Sequence, residues 1–150
     1  MVDVLEAVRP HARIGLDTSV FIYHIEALSP FAGAPSQVLR HVGQHAATGV
    51  TSVLTLTELL VKPLQSGRRG LAARHEALVR VMPNLILADV DAEIARRAAV
   101  LRATYRLRTP DAIQVATCLA YGATAFVTND IRLRRIDELA VIVLSDHVDG

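Results

Sequence analysis

Thr109-Pro110-Asp111-Ala112-Ile113-Gln114-Val115-Ala116-Thr117, followed five residues later by Ala123-Thr124-Ala125-Phe126-Val127-Thr128-Asn129-Asp130, reads as one complete helix–strand unit. Thr109 and Pro110 open a helix, because proline needs no N–H partner in a first turn and its φ is already helical. Asp111 sits where a negative charge complements the helix dipole. Apolar residues carry the helix over 111–121, and Gly122 stops it. Residues 124–127 form a short apolar strand that ends directly in Thr128, Asn129 and Asp130.

The same alternation extends in both directions. Residues 14–16 form an apolar strand ending at Asp17, and 20–27 a short helix. Pro30 and Pro35 break the chain around Gly33, and 36–47 form a helix with Val38, Leu39 and Val42 inside. Gly49 ends that helix, and the β-branched residues 50–54 form the second strand. Residues 56–64 are helical up to Pro63, which is expected to end or bend the helix. A polar link at 65–70 leads to a helix at 71–81, a strand at 85–90, and a helix from the Asp91 cap to Tyr105. Residues 132–136 make a helical turn and 139–144 the fifth strand. Strands separated by helices imply a parallel sheet covered on both faces, an α/β/α sandwich. One domain over 1–150 is expected, with 1–12 a poorly ordered N-terminal extension.

Composition narrows the function. The chain has 150 residues, is 51% hydrophobic and has only 4% aromatic residues, so its core is aliphatic and base-stacking platforms are not expected. Cys118 is the single cysteine, which suits a reducing compartment. No apolar run is long enough for a membrane span, and the N-terminus lacks a signal-peptide core, so the cytoplasm is the expected location. Net charge is only +1, but Lys62 is the sole lysine and the remaining bases are arginines. Arginine grips phosphate in a planar, two-pronged way. The tracts holding Arg106, Arg108, Arg132 and Arg134 flank Asp111 and Asp130, and are expected to touch RNA through phosphates rather than bases.

Each notable acid has an ordinary explanation. Asp17 can cap a helix, Glu58 completes a Thr55-x-x-Glu58 capping box, Asp111 complements a dipole, and Asp130 can cap a turn. As a group they suggest chemistry. Ligands of open parallel sheets bind beyond the strands' C-terminal ends, where Asp17, Asp130 and, at one remove, Glu58 would meet. Periodicity does not place Asp111 there. Crowded carboxylates repel, and a hard divalent cation relieves that repulsion. Such a cation with a phosphodiester substrate implies metal-assisted hydrolysis.

Four segments carry a resemblance to the PIN-domain family. They are Leu16-Asp17-Thr18-Ser19-Val20, the stretch Thr51 through Leu59 bearing Glu58, the Asp111 helix opening, and Phe126-Val127-Thr128-Asn129-Asp130. Size and build look like VapC-like toxins. The resemblance implies a three-layer α/β/α fold, a Mg²⁺- or Mn²⁺-dependent endoribonuclease, a homodimer and a small inhibitory antitoxin. It further implies that Asp17, Glu58, Asp111 and Asp130 bind metal or hold the attacking water, and that Ser19, Thr128 and Asn129 orient those carboxylates. Ser19 stands where many members have Asn. A PIN fold with a silent site, serving RNA or protein interaction, is the alternative, as is a stand-alone RNA-processing nuclease.

Other chemistries fit less well. His41 and His45 are four apart, but Val42 occupies the position that a zinc protease fills with Glu. His24 and His75 read as ordinary, partly exposed residues. Cys118 lies on the apolar stripe of the Asp111 helix and reads as core. No glycine-rich phosphate loop is present. A haloacid-dehalogenase-like phosphatase would carry a second Asp where Ser19 stands.

Overall fold

Five parallel strands form the sheet in the computed structural model, which describes residues 3–26 and 33–147. They are β1 (Arg13–Leu16), β2 (Thr48–Ser52), β3 (Leu85–Ala88), β4 (Ala125–Thr128) and β5 (Ala140–Val143), in the order β3-β2-β1-β4-β5. The chain winds outward from β1 through β2 to β3, then returns to place β4 on the other side of β1. Strand order therefore reverses at β1, and the crevice beyond its C-terminal end is where such sheets bind ligands.

The helices are α1 (Val4–Val8), α2 (Thr18–Ile25), α3 (Gly33–Gly43), α4 (Leu54–Gln65), α5 (Arg69–Val81), α6 (Ala92–Tyr105) and α7 (Thr109–Ala120). Period-two alternation splits the strand side chains between two cores. Ile14, Leu16, Ala125 and Val127 face the core shared with α1, α2 and α3. Val50 and Phe126 face the core shared with α6 and α7. The architecture is the expected three-layer α/β/α sandwich. Full burial of residues such as Ile14 and Leu16 contributes about 1.5–3 kcal/mol each. No helix among the described residues is long and apolar enough to cross a membrane.

Several elements differ from the sequence expectation. The N-terminal stretch expected to be poorly ordered contains α1, capped by Asp3, with Val4 and Val8 buried in the core. Five residues carry too little periodicity to reveal a helix, and burial against the rest of the fold is what holds it. α3 ends at Gly43, and Gly49, expected as its stop, lies inside β2. Pro35 is in the first turn of α3, where its missing N–H costs nothing, rather than breaking the chain. Pro30 and Ala27 lie outside the described residues. α4 runs through Pro63 to Gln65. The carbonyl this proline deprives of a helical partner belongs to Leu59, and His75 Nδ1 lies 3.5 Å from it.

α7 packs very closely on the sheet. A Cβ at Gly15 in β1 would lie 2.6 Å from Cys118 Sγ and 2.9 Å from Phe126 Cδ1. The missing side chain is what seats α7 against β1 and β2, and with it the Asp111 end of the helix.

Candidate active site

Asp17 follows β1 directly and caps α2, accepting from Thr18 N at 2.8 Å. Its other carboxylate oxygen accepts from Thr128 Oγ1 at 2.6 Å and Ser19 Oγ at 3.3 Å. Burial pushes the Asp17 pKa up to about 6; the Thr128 hydrogen bond opposes this, and the charges of Asp111 and Glu58 reinforce it. An open cleft of about 520 Å³ is lined by Asp17, Glu58, Asp111 and Asp130 together with Ser19 and Asn129.

Capping and site membership coexist in these acids. Asp130 caps the 3₁₀ turn Ile131–Arg135 through Arg132 N, while Asp111 lies in the first turn of α7. The expected capping box is absent. Val53 is the N-cap of α4, Thr55 lies one residue inside the helix, and Glu58 Oε1 instead accepts from Thr18 Oγ1 at 2.9 Å. The Thr-x-x-Glu spacing was local, whereas the partner that holds Glu58 comes from another helix.

Two of the carboxylates are held by arginines. Arg132 Nη2 is 2.7 Å from Asp130 Oδ2, and Arg108 Nε is 3.1 Å from Asp111 Oδ2. The Arg132 hydrogen bond holds the Asp130 pKa below the usual carboxylate range. Among the described residues, no group of three His, Cys, Asp or Glu side chains is arranged to hold a metal ion. Asp111 and Asp130 each accept from a guanidinium group at the edge of the cleft. The donor chemistry still fits a hard cation, since every donor is oxygen and Mg²⁺ binds through one or two carboxylates with waters. Asn129 Oδ1 adds a buried acceptor with no hydrogen-bond partner.

The remaining expected residues are distributed unevenly. Asn129 turns its amide nitrogen to Tyr23 Oη at 2.9 Å rather than to a carboxylate, and its backbone N–H donates to Ser19 Oγ. Arg106 caps α6 at φ 57° and lines a smaller hollow with Arg108, Asp111, Asp130 and Arg132. Arg134 is engaged with Asp146 at 2.5 Å and is not among the residues lining the cleft. His45 lies past the end of α3 at φ 62°, so it does not share a helical face with His41. Burial pushes the Cys118 thiol upward, as suits a core cysteine.

Two contributors were not apparent in the sequence. Thr18, buried, bridges toward Glu58, and Gln114, on the inner face of α7, donates to Thr18 Oγ1 at 3.2 Å and Thr55 Oγ1 at 2.9 Å. A glutamine amid Ile113, Val115 and Ala116 was the available signal, since a polar residue on a buried stripe needs partners.

Residues 14–139 match the PIN domain family. The chain is a PIN-domain protein. No curated protein sequence matches it. A chain of the VapBC2 complex from Rickettsia felis bound to a promoter DNA fragment shares the fold, with TM-score 0.70, 19% identity, and coverage of 87% of this chain and 98% of that one. A chain of a toxin–antitoxin complex from Klebsiella pneumoniae gives TM-score 0.65 and 20% identity, covering 87% and 97%. A chain of the DNA-bound VapBC complex from Salmonella typhimurium gives 0.64 and 19%, covering 88% and 98%. At these identities the likeness concerns the PIN fold.

Proposed function

We propose that this PIN-domain protein is a Mg²⁺- or Mn²⁺-dependent endoribonuclease acting as the toxin of a type II toxin–antitoxin pair, with a small antitoxin as partner. The observation that carries this is the half-buried Asp17, oriented by Thr18, Ser19 and Thr128 and crowded by Asp111 and Glu58. A carboxylate whose charge is opposed by burial and by like neighbours is suited to a cation. Asp17 and Glu58 would hold it, with Asp111 and Asp130 reaching its waters or joining once their arginines move. When bound, the cation would supply a water nucleophile and stabilise the leaving oxygen. Arg108 and Arg132 match the planar spacing of phosphate oxygens, so an RNA backbone entering the cleft would compete for both guanidinium groups. Asp111 and Asp130 would then be released. The reading also draws on the VapBC and toxin–antitoxin complexes that share the fold.

One observation favours a second reading, a PIN-fold interaction module with a silent site. The two arginine pairs already neutralise half of the expected ligand set, and no three-residue metal group stands among the described residues. Incubating a mixed RNA pool with Mg²⁺, Mn²⁺ or EDTA, beside the Asp17→Asn variant, separates the two. Cleavage that requires metal and Asp17 supports the nuclease. RNA retention without cleavage under any metal supports the module. Growth arrest on expression, relieved by Asp111→Asn, supports the toxin role; equal growth of both cultures removes it.

A further inference from the structure

The buried hydroxyls beneath the cleft form a chain whose proton directions can be assigned. Each threonine hydroxyl has one proton to donate. Thr51 Oγ1 donates to the Leu16 carbonyl at 2.9 Å, so towards Thr55 Oγ1, 2.7 Å away, it can only accept. Thr55 therefore spends its proton on Thr51. The Ser52 backbone N–H donates to Gln114 Oε1 at 3.2 Å, which fixes the amide with its nitrogen towards Thr18 and Thr55. That nitrogen fills an acceptor site on each hydroxyl.

Thr18 Oγ1 has two possible acceptors for its own proton, Glu58 Oε1 at 2.9 Å and Thr55 Oγ1 at 3.1 Å. The carboxylate oxygen is both the nearer and the stronger acceptor, so the proton goes to Glu58. We propose that Gln114 is a positioning residue for the cation site: its amide nitrogen, donating to both Thr18 Oγ1 and Thr55 Oγ1, fixes the Thr18 hydroxyl so that its proton is aimed at Glu58, and so keeps that carboxylate in the cleft it shares with Asp17. The inference rests on the cation-binding reading of the site. Gln114 is 1% exposed and makes its contacts only inside the protein, so its effect on the cleft passes through Thr18.

Mn²⁺ titration followed by electron paramagnetic resonance tests this without requiring cleavage, with a thermal melt on each variant. Gln114→Met keeps the side-chain length and removes both donors. It is expected to weaken Mn²⁺ binding about 10-fold, the usual scale for losing a group that orients a metal ligand. Thr18→Val removes the donor to Glu58 and is expected to do the same, and it decides the matter if Gln114→Met does not fold. In the Thr18→Val background Gln114→Met is expected to cause no further loss of affinity, because its effect passes through Thr18, a coupling that a purely structural role would not give. Thr117→Val, on the same helix and outside the chain of hydroxyls, is expected to lower Tm and leave the affinity unchanged. If the wild-type protein binds Mn²⁺ and both Gln114→Met and Thr18→Val bind it equally well, the role of Gln114 is overturned and the cation site stands. If the wild-type protein leaves the Mn²⁺ signal unaltered, the cation reading fails, and the role of Gln114 with it.

Discussion

Arg132 grips Asp130 with two guanidinium nitrogens, Nε at 2.9 Å from Oδ1 and Nη2 at 2.7 Å from Oδ2. The pair is self-contained within the 3₁₀ turn after β4, and it competes with any cation for the same oxygens. Arg132→Gln is therefore expected to tighten Mn²⁺ binding about threefold, the modest scale of an exposed ion pair, while weakening RNA binding. Calorimetric titration with Mn²⁺ and with a short oligonucleotide checks both directions. Unchanged or weaker Mn²⁺ binding would show that Arg132 does not compete for Asp130.

Asp17 sets a pH dependence. Its folded pKa of about 6 lies above the ordinary 3.8, so the folded protein holds a proton that the unfolded chain has released between those values. Stability of the metal-free protein therefore falls as pH rises from about 4 to 6. Asp17→Asn is expected to raise the stability of the metal-free protein at pH 7.5 by on the order of 1–2 kcal/mol, with the gain vanishing below about pH 4. Mn²⁺ reverses the order, because only wild type retains the ligand. Melts at pH 4 and 7.5, with and without Mn²⁺, measure all four terms.

Thr128 donates the shortest hydrogen bond that Asp17 receives, and that bond opposes the upward shift caused by burial. Thr128→Val removes it at nearly constant volume. The Asp17 midpoint is expected to move further up, and Mn²⁺ affinity at pH 6.5 to fall by about 10-fold, with a smaller loss at pH 8.5. A loss equal at both pH values would point to displacement of the carboxylate rather than to its ionisation.

Gly15 controls the seating of α7. Gly15→Ala drives a Cβ to 2.6 Å from Cys118 Sγ and 2.8 Å from Cys118 Cβ, and is expected to cost about 1–3 kcal/mol of stability by overpacking. Adding Cys118→Ala removes the nearer clash and should recover part of the loss. Urea unfolding measures both; a Gly15→Ala protein as stable as wild type would mean that α7 can ride outward freely.

Salt dependence separates the arginines. In the Asp17→Asn background, where RNA is expected to bind uncut, each phosphate contact contributes a slope of about −0.7 to the log–log plot of affinity against salt. Arg108→Gln combined with Arg132→Gln should make the slope shallower by about 1.4. Arg134→Gln should leave it unchanged, because Arg134 is committed to Asp146.

Much of this fold is written locally. The α7 opening at Thr109-Pro110-Asp111, its stop at Gly122, and the strand running into Asp130 follow from φ preferences, dipole complement and short apolar runs, which depend only on neighbouring residues. Asp17 and Asp130 at strand ends were legible for the same reason. Convergence was not, because it depends on which strands pair. The pairing of β4 with β1 brings Asp130 into the same cleft as Asp17, and the packing of α7 over Gly15 brings Asp111 to them. The grip of Arg132 on Asp130, the turn of Glu58 away from a cap towards Thr18, and the Gln114 chain beneath them were decided by the tertiary structure. Hydrogen bonds and ion pairs are set by distances of about 3 Å between atoms, and no spacing along the chain encodes those distances once the partners belong to different elements.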